Sequence, residues 1–347
     1  MRRLKYAVYE KKGYKKMPAE TINLIVTQDF NITTTMAFVD PFRVANYING
    51  APLYRWAFVS EQGGHLRSSN GAMLQTVPMQ TISTPADYTI VSASWTPEAH
   101  VSAMMKAHLR AAKSKKQIIG ALDTGAFILA HCGVLEGYQA TVHYEHIDAF
   151  QELFPNITVS EALWVMDRDR ITCCGGMAAA EFAMRLIEQT HGTALVNAIA
   201  KYLFSQNLRD AGSSQSPERL EPVGKTVPDS LRKAIKIMEQ NLETPLPIAA
   251  VAQAANISQR QMDRLFAHYV GRSPVQYYRD IRLDRARGLV TQTTMPLTEI
   301  AYASGFSSQV HFSRTYKARF GLPPQKDRIN GRIPFEFRAW PMHPRNG

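Results

Sequence analysis

Val251-Ala252-Gln253-Ala254-Ala255-Asn256-Ile257-Ser258, echoed further along the chain by Ile300-Ala301-Tyr302-Ala303-Ser304-Gly305-Phe306-Ser307-Ser308, decides how the C-terminal third is built. Each stretch reads as a short amphipathic helix that stops at a residue tolerant of positive φ, Asn256 or Gly305, followed by an apolar residue and a serine. A helix, a tight turn and a second, serine-capped helix make the pattern of a helix-turn-helix. Ser258 and Gln261 have the spacing of a capping box, which predicts a second helix from Gln259 to Tyr269. On it Met262, Leu265, Phe266 and Tyr269 fall at i, i+3, i+4 and i+7 and face a core, leaving Gln259, Arg260, Asp263 and Arg264 outside. The echo predicts a helix from Ser308 to Phe320, with Phe312, Tyr316 and Phe320 inward and Gln309, Val310, His311 and Arg314 outward or along the boundary. Both helices end at a glycine, Gly271 or Gly321, with Pro274 or Pro324 beyond. Between the two units, Pro274 to Gln292 reads as one helix bearing Arg279, Arg282, Arg285 and Arg287. Its length of about 28 Å suits two helices held roughly one DNA turn apart.

Working outward, Gly212-Ser213-Ser214-Gln215-Ser216-Pro217 with Pro222, Gly224 and Pro228 is a linker by composition. The expected organisation is a basic tail at 1–16, an α/β domain at 17–211, a linker at 212–228, an all-α domain at 229–326 and a tail at 327–347. Charge follows the same division. Residues 218–347 hold 20 Lys and Arg against 11 Asp and Glu, whereas residues 17–217 are net −4. A strongly basic unit joined to a mildly acidic one implies that the basic part meets a polyanion, with Arg282 of the linking helix expected to touch phosphate. The composition, 45% hydrophobic and 20% charged, is that of a globular protein, and no run is apolar enough for a membrane span or a signal core, so a cytoplasmic location is expected. Cys132, Cys173 and Cys174 show no zinc spacing and read as buried, reduced thiols; no metal and no cofactor is expected.

The stretch from about Leu231 to Pro324, with Gly305-Phe306-Ser307-Ser308-Gln309-Val310-His311-Phe312-Ser313-Arg314 and Phe320-Gly321-Leu322-Pro323-Pro324, resembles the DNA-binding domain of the AraC/XylS family. The resemblance implies that Arg260, Asp263 and Arg264 of the first unit and Gln309, Val310, His311 and Arg314 of the second face the DNA grooves.

In the first half, apolar runs at 21–26, 54–59, 88–91 and 117–122 alternate with helical segments at 34–47 and 97–113, the latter opened by Pro97. Alternating strands and helices predict an α/β domain with a parallel sheet. Gln117 to Ala130 reads as strand, sharp turn and helix, the shape of a nucleophile elbow. With Gly137 to Glu145, Phe154-Pro155-Asn156, Ile171-Thr172 and Gly175-Gly176, it is similar to the PfpI-type, class I glutamine amidotransferase-like domain found fused to AraC-type regulators. Where that domain's enzymes carry the nucleophilic cysteine this chain has Asp123, where several carry histidine it has Thr124, and Phe30-Asn31-Ile32 lacks their glutamate. Without a thiolate the covalent chemistry is lost, so no catalytic residue is expected.

A pocket at the C-terminal ends of the strands remains, where α/β folds place ligands. Phe30, Asn31, Trp95, Asp123, Thr124, His143 and Tyr144 are the candidates to line it, with ordinary core packing as the alternative for Trp95 and Tyr144. A strand-to-helix turn is expected to favour ionised Asp123, an anion suited to a small cation. The resemblance implies an amino acid or quaternary amine such as arginine, glycine betaine or carnitine as effector. It further implies a homodimer on operator DNA, working with RNA polymerase as an activator. The alternative is an amidase or hydrolase using Asp123 and carrying a DNA-binding appendage.

Overall fold

A computed structural model of the chain describes residues 18–82, 86–205, 208–210, 212, 213, 215 and 227–330. The basic tail, most of the expected linker and the tail beyond 330 lie outside the described residues.

The first unit runs β1 (Glu20–Val26), α1 (Ile32–Asn49), β2 (Tyr54–Ser60), β3 (Gly64–Arg67), β4 (Met73–Pro78), β5 (Tyr88–Ala93), α2 (Ala103–Ser114), β6 (Ile118–Asp123), α3 (Gly125–His131), β7 (Gln139–Ala140), α4 (Ile147–Leu153), β8 (Thr158–Val159), β9 (Trp164–Asp167), β10 (Arg170–Cys173), α5 (Ala178–His191) and α6 (Thr193–Tyr202). Eight strands form one sheet in the order β3-β4-β2-β1-β5-β6-β10-β9. The interior pairings are parallel and the two edge pairings, β3 with β4 and β9 with β10, are antiparallel. β1 shows why the apolar runs are continuous: Ile22, Leu24 and Val26 join a core with α1, α5 and α6, while Ile25 points into a second core with α2, α3 and α4. A strand covered on both faces has no solvent side on which to alternate. The helix expected at 97–113 is divided. Pro97–His100 forms a 3-10 turn, and Ser102, extended, accepts from the Met105 N–H to start α2 afresh. All three cysteines are free and buried.

The second unit is helical: α7 (Asp229–Glu239), α8 (Ile248–Ala254), α9 (Gln259–Leu265), α10 (Pro274–Gln292), α11 (Leu297–Ala303), α12 (Gln309–Phe320) and α13 (Pro324–Asn330). It has two cores. Val251, Met262 and Phe266 pack with Leu231, Met238 and Tyr277; Ile300, Phe312 and Tyr316 pack with Ala286, Leu289 and Val290. α10 contributes its first half to one core and its second half to the other, so a single rigid helix spaces the two units. α13 crosses the boundary expected at residue 326. Its Asp327 is buried and accepts from the Tyr316 hydroxyl at 2.7 Å and from Arg287 Nε at 3.0 Å. Among the described residues no helix is long and apolar enough to cross a membrane.

Candidate functional site

Both turns of the repeat take the backbone that the sequence required. Asn256 has φ 59° and Gly305 has φ 73°. Ser258 accepts from Gln261 N–H at 3.2 Å and Ser308 from His311 N–H at 3.3 Å, so each second helix starts on its serine. The reciprocal half of the box at Ser258 is not among the bonds formed. The complete box opens α10, between Ser273 and Gln276. After Leu265 the chain passes into a π turn, Phe266–Val270, so the stripe of Met262, Leu265, Phe266 and Tyr269 is kept although the helix is not uniform.

Arg260, Asp263 and Arg264 on α9 and Gln309, Val310, His311 and Arg314 on α12 are all exposed. Val310 is 80% exposed, an apolar side chain left largely to solvent. Gln309 Oε1 accepts from Thr298 at 2.7 Å, which ties α12 to α11 and leaves the amide N–H groups for another partner.

The two units are fixed to each other at Gly305. A Cβ there would lie 2.5 Å from the Leu242 carbonyl oxygen and 2.9 Å from Pro245 Cδ, so only glycine permits the approach. Arg282 Nη1 donates to the Gly305 carbonyl at 3.0 Å, and its guanidinium stacks 4.8 Å from the Phe306 ring centroid. Arg282, the residue expected to touch phosphate, is thus half-buried and has one of its N–H groups engaged by this turn.

In the first unit Asp123 ends β6 at φ 59°, the strained turn of an elbow. Its carboxylate accepts from Asn31 Nδ2 at 3.1 Å, while Asn31 Oδ1 caps α1 by accepting from Thr34 N–H. Thr34 Oγ1 in turn accepts from Gly176 N–H at 2.7 Å. Gly175, at φ 97°, lies so close that a Cβ would stand 3.0 Å from the Asp123 Cβ. Burial pushes the Asp123 carboxyl up to about 6, with His143, the Asn31 amide and the Thr124 backbone N–H pulling the other way. The expectation that the turn would favour the ionised form is thus reversed in sign, because loss of hydration outweighs the local dipoles.

The other candidates divide. Asn31 and His143 gather at Asp123. Thr124 is buried and donates its hydroxyl to the Ser94 carbonyl at 2.5 Å, which braces the ends of β5 and β6. Phe30 is wholly buried in the core beneath α1. Trp95 is half-buried, and its Nε1 is buried without a hydrogen-bond partner among the described residues. Tyr144 is 43% exposed, tilted against the His143 ring with centroids 4.6 Å apart. Thr34 and Gly175 complete the surroundings of Asp123. The Gly175-Gly176 pair was the visible signal, but nothing in sequence says that a loop 52 residues downstream returns to the Asp123 carboxylate. Among the described residues, His143, Glu145 and His146 are the group whose ligand-type atoms lie within 4.8 Å of one another. Ligand atoms held at about 2.0–2.2 Å around zinc stand roughly 3.3 Å apart, so this is a wider spacing than a formed coordination sphere.

A sequence-family profile described as "Helix-turn-helix domain" matches residues 251–329. The chain is similar to the HTH-type transcriptional regulator GbdR of Pseudomonas aeruginosa, 34% identical over 310 residues that cover 89% of this chain and 84% of that protein. It is also similar to the HTH-type transcriptional regulator CdhR of the same species, 34% identical over 302 residues, covering 86% and 88%. A crystal structure of a ThiJ/PfpI family protein from Pseudomonas syringae aligns with 69% of this chain and 90% of its own at 19% identity, with a TM-score of 0.49.

Proposed function

This chain belongs to the family of HTH-type transcriptional regulators, DNA-binding proteins and not enzymes, and we propose that it answers to a small cationic or zwitterionic metabolite bound beside Asp123. The observation that carries this reading is the Asp123 carboxylate itself: buried, held by Asn31, beside His143, and standing where an enzyme of this shape would carry a nucleophile. Ion pairing with a bound amine would return part of the solvation that burial removes. The unsatisfied Trp95 Nε1 offers a second polar contact at the same end of the sheet. The effector class is an amino acid, amine or betaine.

The partners follow from this reading. Operator DNA meets Arg260, Asp263 and Arg264 of the first unit and Gln309, Val310, His311 and Arg314 of the second, in the cytoplasm. A second copy of the chain pairs with the first; an exposed aromatic pair supports this, with Tyr47 67% and Tyr202 45% exposed and their rings 5.6 Å apart. RNA polymerase is the further partner if the chain activates.

Thermal-shift screening with arginine, glycine betaine and carnitine, followed by calorimetry on Asp123→Asn, tests the reading. The asparagine keeps the size but not the charge, so effector affinity falls by about 1–3 kcal/mol while operator binding without effector is unchanged. Unchanged effector affinity removes Asp123 from the site.

A further inference from the structure

α10 carries four arginines, and the fold spends three of them internally. Arg282 is bonded to the Gly305 carbonyl, Arg285 Nε stands 3.6 Å from Asp148 of the first unit, and Arg287 donates to buried Asp327. Arg279 is exposed and has no ion pair or hydrogen bond among the described residues. It opens into a cleft of about 670 Å³ between α10 and α12, which His311 and Arg314 also line. The two other arginines of that cleft are already neutralised: Arg272 pairs with Asp280, and Arg319 pairs at 2.8 Å with both Asp280 and Asp284. The uncompensated charge of the cleft therefore sits on Arg279 and Arg314, on the side where α12 presents its outward residues.

We propose that this cleft is a seat for one backbone phosphate of DNA, gripped by Arg279 from α10 and Arg314 from α12. The proposal rests on the DNA-binding role of the α12 face and extends it to a residue of the linking helix. A doubly charged, solvent-open cleft with rigid walls suits a compact anion. A phosphodiester flanking α12 in the major groove brings one to it without any demand on base sequence. Asp280 holds Arg272 and Arg319 away from the ligand, so the seat has two free cations and not four. Arg279 is then a positioning residue that sets the register of α12 and carries no sequence information.

The test uses the full chain with two probes: the duplex it selects from random sequence, and a mixed-sequence duplex. Arg279→Ala is expected to weaken both by the same factor, roughly three- to tenfold, and to lower the slope of log affinity against log salt by about one. Arg279→Lys keeps the slope. A loss confined to the selected duplex would make Arg279 a base reader and overturn the seat, and so would an unchanged slope. If the wild-type chain bound neither duplex, the DNA-binding reading beneath the proposal would fail as well, an outcome distinct from wild-type binding with an indifferent Arg279.

Discussion

Asp123 sits where charge is penalised, and the penalty can be measured. Its carboxyl titrates near 6 in the folded chain against an ordinary 3.8. Between those values the unfolded chain gives up its proton while the folded one keeps it, so this group makes stability fall as pH rises from about 4 to about 6. The cost at neutral pH is about 3 kcal/mol at most. His143, Glu145 and Cys173 are the titratable neighbours that feel the same charge. Asp123→Asn, which tolerates the same positive φ, is expected to be more stable than the parent at pH 7 by about 1–3 kcal/mol, with the gap closing toward pH 4. Denaturant unfolding at the two pH values checks this, and parallel stabilities would show that burial does not govern the group. The binding of a cationic effector should weaken as pH falls through 6, since protonation removes the anion.

At the scale of elements, the angle between the helix-turn-helix units is held at one turn. Gly305→Ala combines a left-handed φ with a Cβ pressed on the Leu242 carbonyl, and is expected to cost about 2–4 kcal/mol. Urea unfolding measures it. Asn256→Gly, at the equivalent turn, keeps a φ of 59° that glycine adopts freely and should stay within about 1 kcal/mol. Arg282→Ala leaves the Gly305 carbonyl without its donor, so it should lower the melting temperature and leave the salt slope of DNA binding unchanged. That is the reverse of the outcome for Arg279→Ala, and an altered slope would restore Arg282 to the phosphate contacts. Asp327 does similar work for α13. Removing it strands Arg287 and the Tyr316 hydroxyl together, a loss of about 1.5–3 kcal/mol by the same measurement.

At the scale of the whole molecule, the first unit's segment 143–148 serves two neighbours. His143 stands by Asp123, while Gln292 Nε2 donates to the Glu145 carbonyl at 3.4 Å and Arg285 pairs with Asp148 at 3.6 Å. Gly288 of α10 faces the same carbonyl oxygen, and a Cβ there would make only an ordinary van der Waals contact with it, at 3.7 Å. A change at Asp123 thus has a short physical route to the helix that spaces the two DNA-binding units. Asp148→Arg sets like charges face to face and is expected to open the contact and raise the radius of gyration of the full chain in small-angle scattering. An unchanged radius would mean that other contacts hold the units together.

The sequence by itself determined what depends on neighbours within a few residues. The two helix-turn-helix repeats, their serine caps, the residues at positive φ and the inward stripe through Met262 and Phe266 follow from helical spacing and local backbone preference. So does the alternation of strands and helices that makes a parallel sheet. What only the tertiary structure decided was which polar groups are already engaged. Four arginines on one helix are equivalent in sequence; the fold gives Arg282 to Gly305, Arg285 to Asp148 and Arg287 to Asp327, and leaves Arg279 outside. Likewise the charge state of Asp123 turned on burial by segments far away along the chain. Both outcomes have one physical reason: hydration and hydrogen-bond partnership are set by the distance between atoms in space, and sequence spacing reports that distance only within a single element.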